Sequence, residues 1–251
     1  MVNKGADILI NISGSPFYMG KRKERENLIR KAVLKYKVPF VYVNTVGTQD
    51  GYDGELVFDG QSMVFGKMGN LILLGSKFKD EIFLFDYENL FAKKENLDIA
   101  DDSIEDLYLA LTQGLKDYFQ RNKFKKAFVG ISGGIDSAVV AALAKDALGE
   151  ENVHGLCMIY KFTSDESISD SKILAKNLNI KLEEISIRNI YESILKALYP
   201  YFDKLAFDST EENIQARIRG LILMAFANKF NGLVVSTANK TETALGYTTL
   251  Y

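Results

Sequence analysis

The stretch Ala127-Phe128-Val129-Gly130-Ile131-Ser132-Gly133-Gly134-Ile135-Asp136-Ser137-Ala138-Val139-Val140-Ala141 decides how the chain is to be read. A short apolar run ending at Ile131 breaks into Ser-Gly-Gly, and a second apolar run starts at once. Length and the flanking glycines make the first run a strand and the second a helix. Two glycines let the backbone turn sharply and bring N–H groups close to an anion. The helix N-terminus adds its partial positive charge. Ser132 and Ser137 offer hydroxyl donors to phosphate oxygens. Asp136 would repel a bare phosphate, so its place in the loop implies Mg2+ between carboxylate and phosphates. The loop is not of the Walker A kind, because the lysine of G-x-x-x-x-G-K-[ST] is missing. Taken alone, Ser-Gly-Gly is a plain turn and Asp136-Ser137 a helix cap. The strand–turn–helix setting favours the phosphate reading.

Working outward, strands and helices alternate on both sides of this loop. The pattern predicts a helix over 103–120, a strand over 126–131, a helix over 136–148 and a strand over 153–159. A helix over 167–178, a strand over 181–186, helices near 189–198 and 210–230, a strand over 232–236 and a short helix from Lys240 follow. Such alternation predicts a parallel sheet with helices on both faces, with ligands at the carboxyl ends of the strands. Residues 5–87 have another rhythm. Ala6–Ile12 and Pro39–Val46 are apolar strands, and Lys21–Tyr36 is a helix with Leu28, Ile29, Ala32 and Val33 on one face. The runs LVFDGQSMVFG, NLILLGS and EIFLFD follow as short strands. The polar stretch 88–102 is predicted to link a first domain, 1–87, to a second, 103–251.

Nearly half of the 251 residues are apolar and a quarter are charged, as in a soluble globular protein. A net charge of -2 leaves no basic excess to displace phosphate counterions, which argues against a nucleic-acid partner. No apolar run approaches the roughly 20 residues that span a bilayer, so no membrane partner is expected. The single cysteine, Cys157, fits a reducing, cytoplasmic setting, and the single histidine, His154, rules out a His-rich metal site.

Ser132-Gly133-Gly134-Ile135-Asp136-Ser137 resembles the S-G-G-x-D-S loop of ATP pyrophosphatases, which cleave ATP between the α and β phosphates. Three later segments narrow the likeness: Glu212-Asn213-Ile214-Gln215-Ala216-Arg217-Ile218-Arg219, then Leu233 to Glu242, then Gly246-Tyr247-Thr248-Thr249-Leu250-Tyr251. In this order after the loop, they resemble NAD synthetases over 103–251. The resemblance implies an α/β fold with a doubly wound parallel sheet of the adenine nucleotide alpha hydrolase-like type. It implies ATP contacts at Gly130, Ile131, Ser132, Gly133, Gly134, Ile135, Asp136, Ser137 and Thr237. Asn213, Arg217, Glu242 and Thr249 would contact deamido-NAD, and Asp136 and Glu242 would share Mg2+. Where the family has a Pro and an Arg after one strand, this chain has Ile159-Tyr160-Lys161-Phe162, so Lys161 offers a point charge in place of a guanidinium fork.

Asn11-Ile12-Ser13-Gly14-Ser15-Pro16-Phe17, Gly20-Lys21, Tyr42 to Gly47 and Leu56 to Ser62 resemble the later part of the nitrilase-type glutaminase domain of the longer NAD synthetases. That implies a partial αββα segment with glutamine contacts at Ser15 and Lys21. Read locally, Gly14-Ser15-Pro16 is a turn and Lys21 a helix-start lysine. The family's Cys, Glu and Lys of glutamine hydrolysis have no counterpart in the chain, and Cys157 in its apolar strand is expected in the core. Both ends read as unfinished, so a truncated chain is expected. The implied function is ATP-dependent amidation of deamido-NAD to NAD+, with ammonia from glutamine and a homo-oligomer as the complete enzyme. The rivals are another ATP pyrophosphatase, of the GMP synthetase or tRNA-thiolation type, and a nucleotide-binding fragment without activity.

Overall fold

The structure, a computed structural model, describes residues 2–51, 54–91, 97, 103–161, 163–202 and 205–246. The chain divides into two compact units, Met1–Tyr118 and Phe119–Tyr251. The division falls inside a helix, beyond the segment read as a linker. The described part of that segment is tied into the first unit. Leu90 is fully buried, its carbonyl accepts from the Lys67 N–H, and the Leu97 N–H donates to Leu71 O.

In the first unit, β1 (Leu9–Ser13), α1 (Lys21–Tyr36) and β2 (Phe40–Asn44) form a strand–helix–strand unit with parallel strands, Leu9 opposite Phe40. A hairpin of β3 (Val46–Gly51) and β4 (Gly54–Asp59) follows, then β5 (Met63–Phe65) and β6 (Leu71–Leu74). The larger sheet runs β1-β2-β5-β6, and its last two pairings are antiparallel. α1 lays Ile29 and Val33 on Tyr42, Met63, Phe65 and Leu71. Leu28, expected on that face, is 72 % exposed. The buried stripe instead passes through Arg22, Arg25, Ile29 and Val33. An apolar-pattern reading misses it because the arginines are buried as ion pairs, Arg22 with Glu26 at 2.8 Å and Arg25 with Asp59 at 2.7 Å.

Glu81–Asp86, expected as a strand, has no ladder partner among the described residues. The Glu81 carboxylate turns back to accept from the Ser76 N–H and hydroxyl, each at 2.7 Å, while Ile82 and Leu84 stand 94 % and 95 % exposed. Alternation fixes side-chain direction along an extended chain, but pairing needs a neighbour.

α2 (Ile104–Arg121) carries the chain across the division. The second unit contains β7 (Lys126–Gly130), α3 (Ile135–Leu148), β8 (Val153–Ile159), α4 (Asp165–Leu178) and β9 (Lys181–Ser186). It continues with α5 (Arg188–Phe202), α6 (Ser209–Lys229), β10 (Gly232–Val234) and α7 (Lys240–Leu245). The sheet order is β10-β7-β8-β9 and every pairing is parallel. Along β8, Leu156 and Met158 pack with Ile187, Tyr191 and Ile218 on the α5 and α6 side. Cys157 points to the other face, where Ser171 of α4 lies against its thiol. α3 buries Ser137, Ala141, Ala144 and Ala147, small residues that let it approach the sheet closely. The predicted doubly wound sheet is therefore present. Among the described residues no helix is long and apolar enough to cross a membrane.

β10 lies so close to β7 that a Cβ on Gly232 would sit 2.5 Å from Lys126 O and 2.8 Å from the Phe128 ring. Backbone oxygen cannot give way cheaply, and forcing extra atoms into a packed site costs about 1–3 kcal/mol. Gly232→Ala is therefore expected to lower the unfolding free energy by that amount, read as a urea midpoint lower by about 1 M in far-ultraviolet circular dichroism. An unchanged midpoint would show that β10 is held more loosely than described.

Candidate active site

The strand order of the second unit reverses at β7. From β7 the chain moves through α3 to β8 and through α4 to β9, then returns by α5 and α6 to β10 on the other edge of β7. Such a reversal leaves a crevice at the carboxyl ends of the two strands involved. Two segments singled out in the sequence leave from those ends: Ile131–Ser137 from β7, and Val235–Glu242 from β10. α6 runs down into β10, so its first turns, which carry Asn213 and then Arg217, also lie toward the carboxyl end of the sheet.

Gly133 has φ +83°, and a Cβ there would lie 2.7 Å from the Ser167 carbonyl oxygen, so only glycine fits. Gly134 caps α3 without any side-chain capping bond, which leaves the first N–H groups of the helix for a ligand. Ser137 is buried; its hydroxyl donates to Gly134 O at 2.9 Å and accepts from the Ser132 N–H at 3.3 Å. It braces the loop from inside. Ser132 is exposed, and its Oγ accepts from the Gly134 N–H at 3.2 Å. Ile135 and Asp136 are exposed as well, whereas Ile131 is buried in the sheet, its N–H donating to Leu156 O. A side chain on Gly130 would meet Leu223 and Met158.

β10 ends at Val234, earlier than expected, although the Val235 N–H still donates to Phe128 O at 3.0 Å. Thr237 is half-buried in the loop beyond. Glu242 completes a capping box on α7: its N–H donates to Asn239 Oδ1, and its Oε2 accepts from the Asn239 N–H at 3.0 Å. The spacing Asn239-x-x-Glu242 is itself legible as a cap. A second box, Asp208 with Glu211, fixes the start of α6. Asn213 is half-buried, Arg217 exposed and Arg219 half-buried. Thr249 and Phe162 lie outside the described residues. Among the described residues no three His, Cys, Asp or Glu side chains gather as a metal site.

Cys157 is 3 % exposed, and burial pushes its thiol up against a smaller opposing influence of Ser171. His154 packs on Phe128 with ring centroids 5.3 Å apart. Burial pulls its imidazole down, and Lys126 and Lys181 push the same way against a smaller opposing influence of Glu183.

In the first unit, Ser15 follows β1, and its backbone is held on both sides by Asn44. The Ser15 N–H donates to Asn44 Oδ1 at 2.8 Å, and Asn44 Nδ2 donates to Ser15 O at 3.2 Å. Lys21 opens α1 with Nζ 3.8 Å from Glu24 and 4.8 Å from the centre of the Tyr18 ring. Asn44 received no role from the sequence. Its partners Ser15 and Gly60 are 29 and 16 residues away, so no local spacing announces it.

The family described as NAD synthase matches residues 107–251. A glutamine-dependent NAD(+) synthetase of Synechocystis sp. is 42 % identical over 256 residues, covering 100 % of this chain and 45 % of that protein. One from Thermotoga maritima is 39 % identical over 284 residues, covering 100 % of this chain and 49 % of that one. Among solved structures, the glutamine-dependent NAD+ synthetase of Acinetobacter baumannii in complex with ADP matches with a TM-score of 0.92 at 36 % identity. That match covers 100 % of this chain and 47 % of the other. The chain thus spans about half the length of the relatives it matches.

A buried thiol with a raised pKa is a poor nucleophile. The purified chain, incubated with glutamine, is expected to form no glutamate above background, and Cys157 is expected to react with Ellman's reagent only on unfolding. Glutamate formation abolished by Cys157→Ala would make the thiol a nucleophile after all.

Proposed function

This chain belongs to the NAD synthase family, and we propose that it carries the nucleotide-handling part of a glutamine-dependent NAD+ synthetase. The observation behind this reading is the uncapped Ser132–Ser137 loop at the reversal of strand order. On this reading 103–251 is the synthetase domain, 1–87 belongs to a nitrilase-like glutaminase domain, and 88–102 links them.

The reaction runs at the carboxyl edge of the second sheet. The nicotinate carboxylate of deamido-NAD attacks the α-phosphorus of ATP; the bond to the bridging oxygen breaks, and pyrophosphate leaves. Ammonia, made from glutamine in the first domain, attacks the resulting acyl adenylate. AMP departs with the electron pair of the broken C–O bond, and the amide of NAD+ remains after loss of a proton. The loop holds the phosphates through the first N–H groups of α3 and the Ser132 hydroxyl, with Ser137 keeping its shape. This is positioning and electrostatic stabilisation, and no side-chain nucleophile is needed. Thr237 contacts ATP from the neighbouring loop, Asn213 and Arg217 share one helix face toward deamido-NAD, and Ser15 and Lys21 contact glutamine.

Mg2+ is usually held by one or two carboxylates, substrate phosphates and water. The exposed Asp136 carboxylate fits that donor set, and Glu242 has one oxygen outside its capping bond. When bound, the ion offsets the negative charge of the phosphates.

Asp136→Asn in the complete reading frame is expected to abolish pyrophosphate release from ATP and deamido-NAD. Turnover at the parent rate would remove the loop's assignment. Arg217→Ala is expected to raise the Michaelis constant for deamido-NAD about tenfold or more and leave that for ATP nearly unchanged. A charged hydrogen bond to a ligand is worth about 1.5–3 kcal/mol, and 1.4 kcal/mol is about tenfold. Arg219→Ala, rotated by about 200° on the helix, is expected to do little. Equal effects from the two substitutions would mean that α6 turns another face to the substrate.

A further inference from the structure

The geometry points to Asn44 as the positioning residue of the glutamine site: it sets the Ser15 loop and, through Asp59 and Arg25, ties that loop to the helix that carries Lys21. The inference rests on the reading that Ser15 and Lys21 contact glutamine.

Asn44 ends β2 and is 6 % exposed. Its amide is used in full. Oδ1 accepts from the Ser15 N–H, while Nδ2 faces three acceptors: Gly60 O at 2.9 Å, Ser15 O at 3.2 Å and Asp59 Oδ1 at 3.4 Å. An amide has two donor hydrogens, so the two shorter contacts are the main bonds and Asp59 shares one. This orientation is forced, because a flipped amide would point N–H at N–H. The Asn44 N–H is itself fixed by Ser62 Oγ at 3.0 Å. The two bonds hold the peptide units on both sides of the Ser15 Cα, which fixes the direction of its side chain as a single bond would not.

The network continues inward. Asp59 Oδ1 accepts from Arg25 Nη2 at 2.7 Å, with both side chains buried. Arg25 lies four residues after Lys21, so the two share a face of α1 one turn apart. Ser15 and Lys21 are therefore joined by a buried polar chain, Ser15–Asn44–Asp59–Arg25, and one helical turn. On either side the loop has further backbone anchors, Thr45 N–H to Ser13 O and Phe17 N–H to Val57 O. Among the described residues Asn44 grips its middle.

Asn44 does not touch glutamine on this reading; it acts through Ser15. The test uses the complete reading frame, assayed with glutamine and separately with ammonium chloride as nitrogen donor. Ser15→Ala, Asn44→Ala and the double variant are compared. Asn44→Ala is expected to raise the Michaelis constant for glutamine about tenfold, the usual size for loss of a well-made buried hydrogen bond, with the constant for ammonia unmoved. In the Ser15→Ala background the same change is expected to add less than about twofold, since residues acting as one unit are not additive. A merely structural defect in the first domain would also spare ammonia use, but it would lower the maximal rate with glutamine rather than raise its Michaelis constant, and it would add in full to Ser15→Ala. Asn44→Ser keeps a small polar side chain and brings no charge beside Asp59, but it is too short to hold both the Ser15 N–H and the Ser15 O. It is expected to fold and still raise the glutamine constant several-fold, which covers the case in which Asn44→Ala does not fold. If Ser15→Ala raises the glutamine constant while both Asn44 variants leave it at the parent value, the positioning role is overturned. Full additivity in the double variant overturns it too. If Ser15→Ala itself leaves the glutamine constant unchanged, the glutamine reading falls first and this inference falls with it.

Discussion

At the middle of the second unit β7 pairs with β8 along one edge and β10 along the other, and Phe128 seals the place where the two pairings meet. Its ring is fully buried, 5.9 Å from Phe226 on α6, 6.0 Å from Phe230 just past the end of α6 and 5.3 Å from His154 on β8. Its carbonyl accepts the Val235 N–H. β10 has only three ladder residues, so aromatic packing from α6 does much to hold it against β7. The loops after β7 and β10 leave side by side because this contact keeps their strands adjacent. The crevice at the reversal of strand order is thus a consequence of core packing several residues away from the loops that leave it.

The first unit is organised differently. Its apolar core, Ile29 and Val33 against Tyr42, Met63, Phe65 and Leu71, binds α1 to the sheet, but apolar contact alone tolerates small rotations of a helix. The Arg25–Asp59 pair adds direction. A buried ion pair often contributes little net stability relative to apolar residues of the same volume. What it does fix is which way α1 faces, because an arginine turned away would take a charged partner from the buried Asp59.

The second unit was legible almost throughout because each signal there is local. Strand 153–159, strand 181–186 and the Ser-Gly-Gly turn all carry their pattern within a few residues, and the structure follows them closely. The order of strands was not legible. That β10 returns to the far edge of β7 depends on α5 and α6 crossing the opposite face from α3 and α4, a long-range choice with no spacing of its own. In the first unit apolar pattern alone misleads: Leu28 is apolar and exposed, while Arg22 and Arg25 lie inside, admitted by Glu26 one turn on and by Asp59, 34 residues along the chain. Asn44 likewise takes its partners from distant residues. Glu81–Asp86 has strand rhythm and no strand partner, since rhythm reports on one chain and a ladder requires two. Glu242 shows the opposite case, a residue singled out for a ligand that also does the work of a helix cap, as its spacing from Asn239 allows.

β1 lies at the edge of its sheet with Ile10 and Ile12 64 % and 84 % exposed, and Ile82 and Leu84 extend into solvent on an unpaired segment of the same unit. An edge strand presents a row of unanswered N–H and C=O groups, and charge or proline is the usual device that blunts it. Leu9–Ser13 contains neither. Within the described residues nothing in the composition of that edge opposes the addition of a further strand, and a net charge of -2 adds little to oppose it.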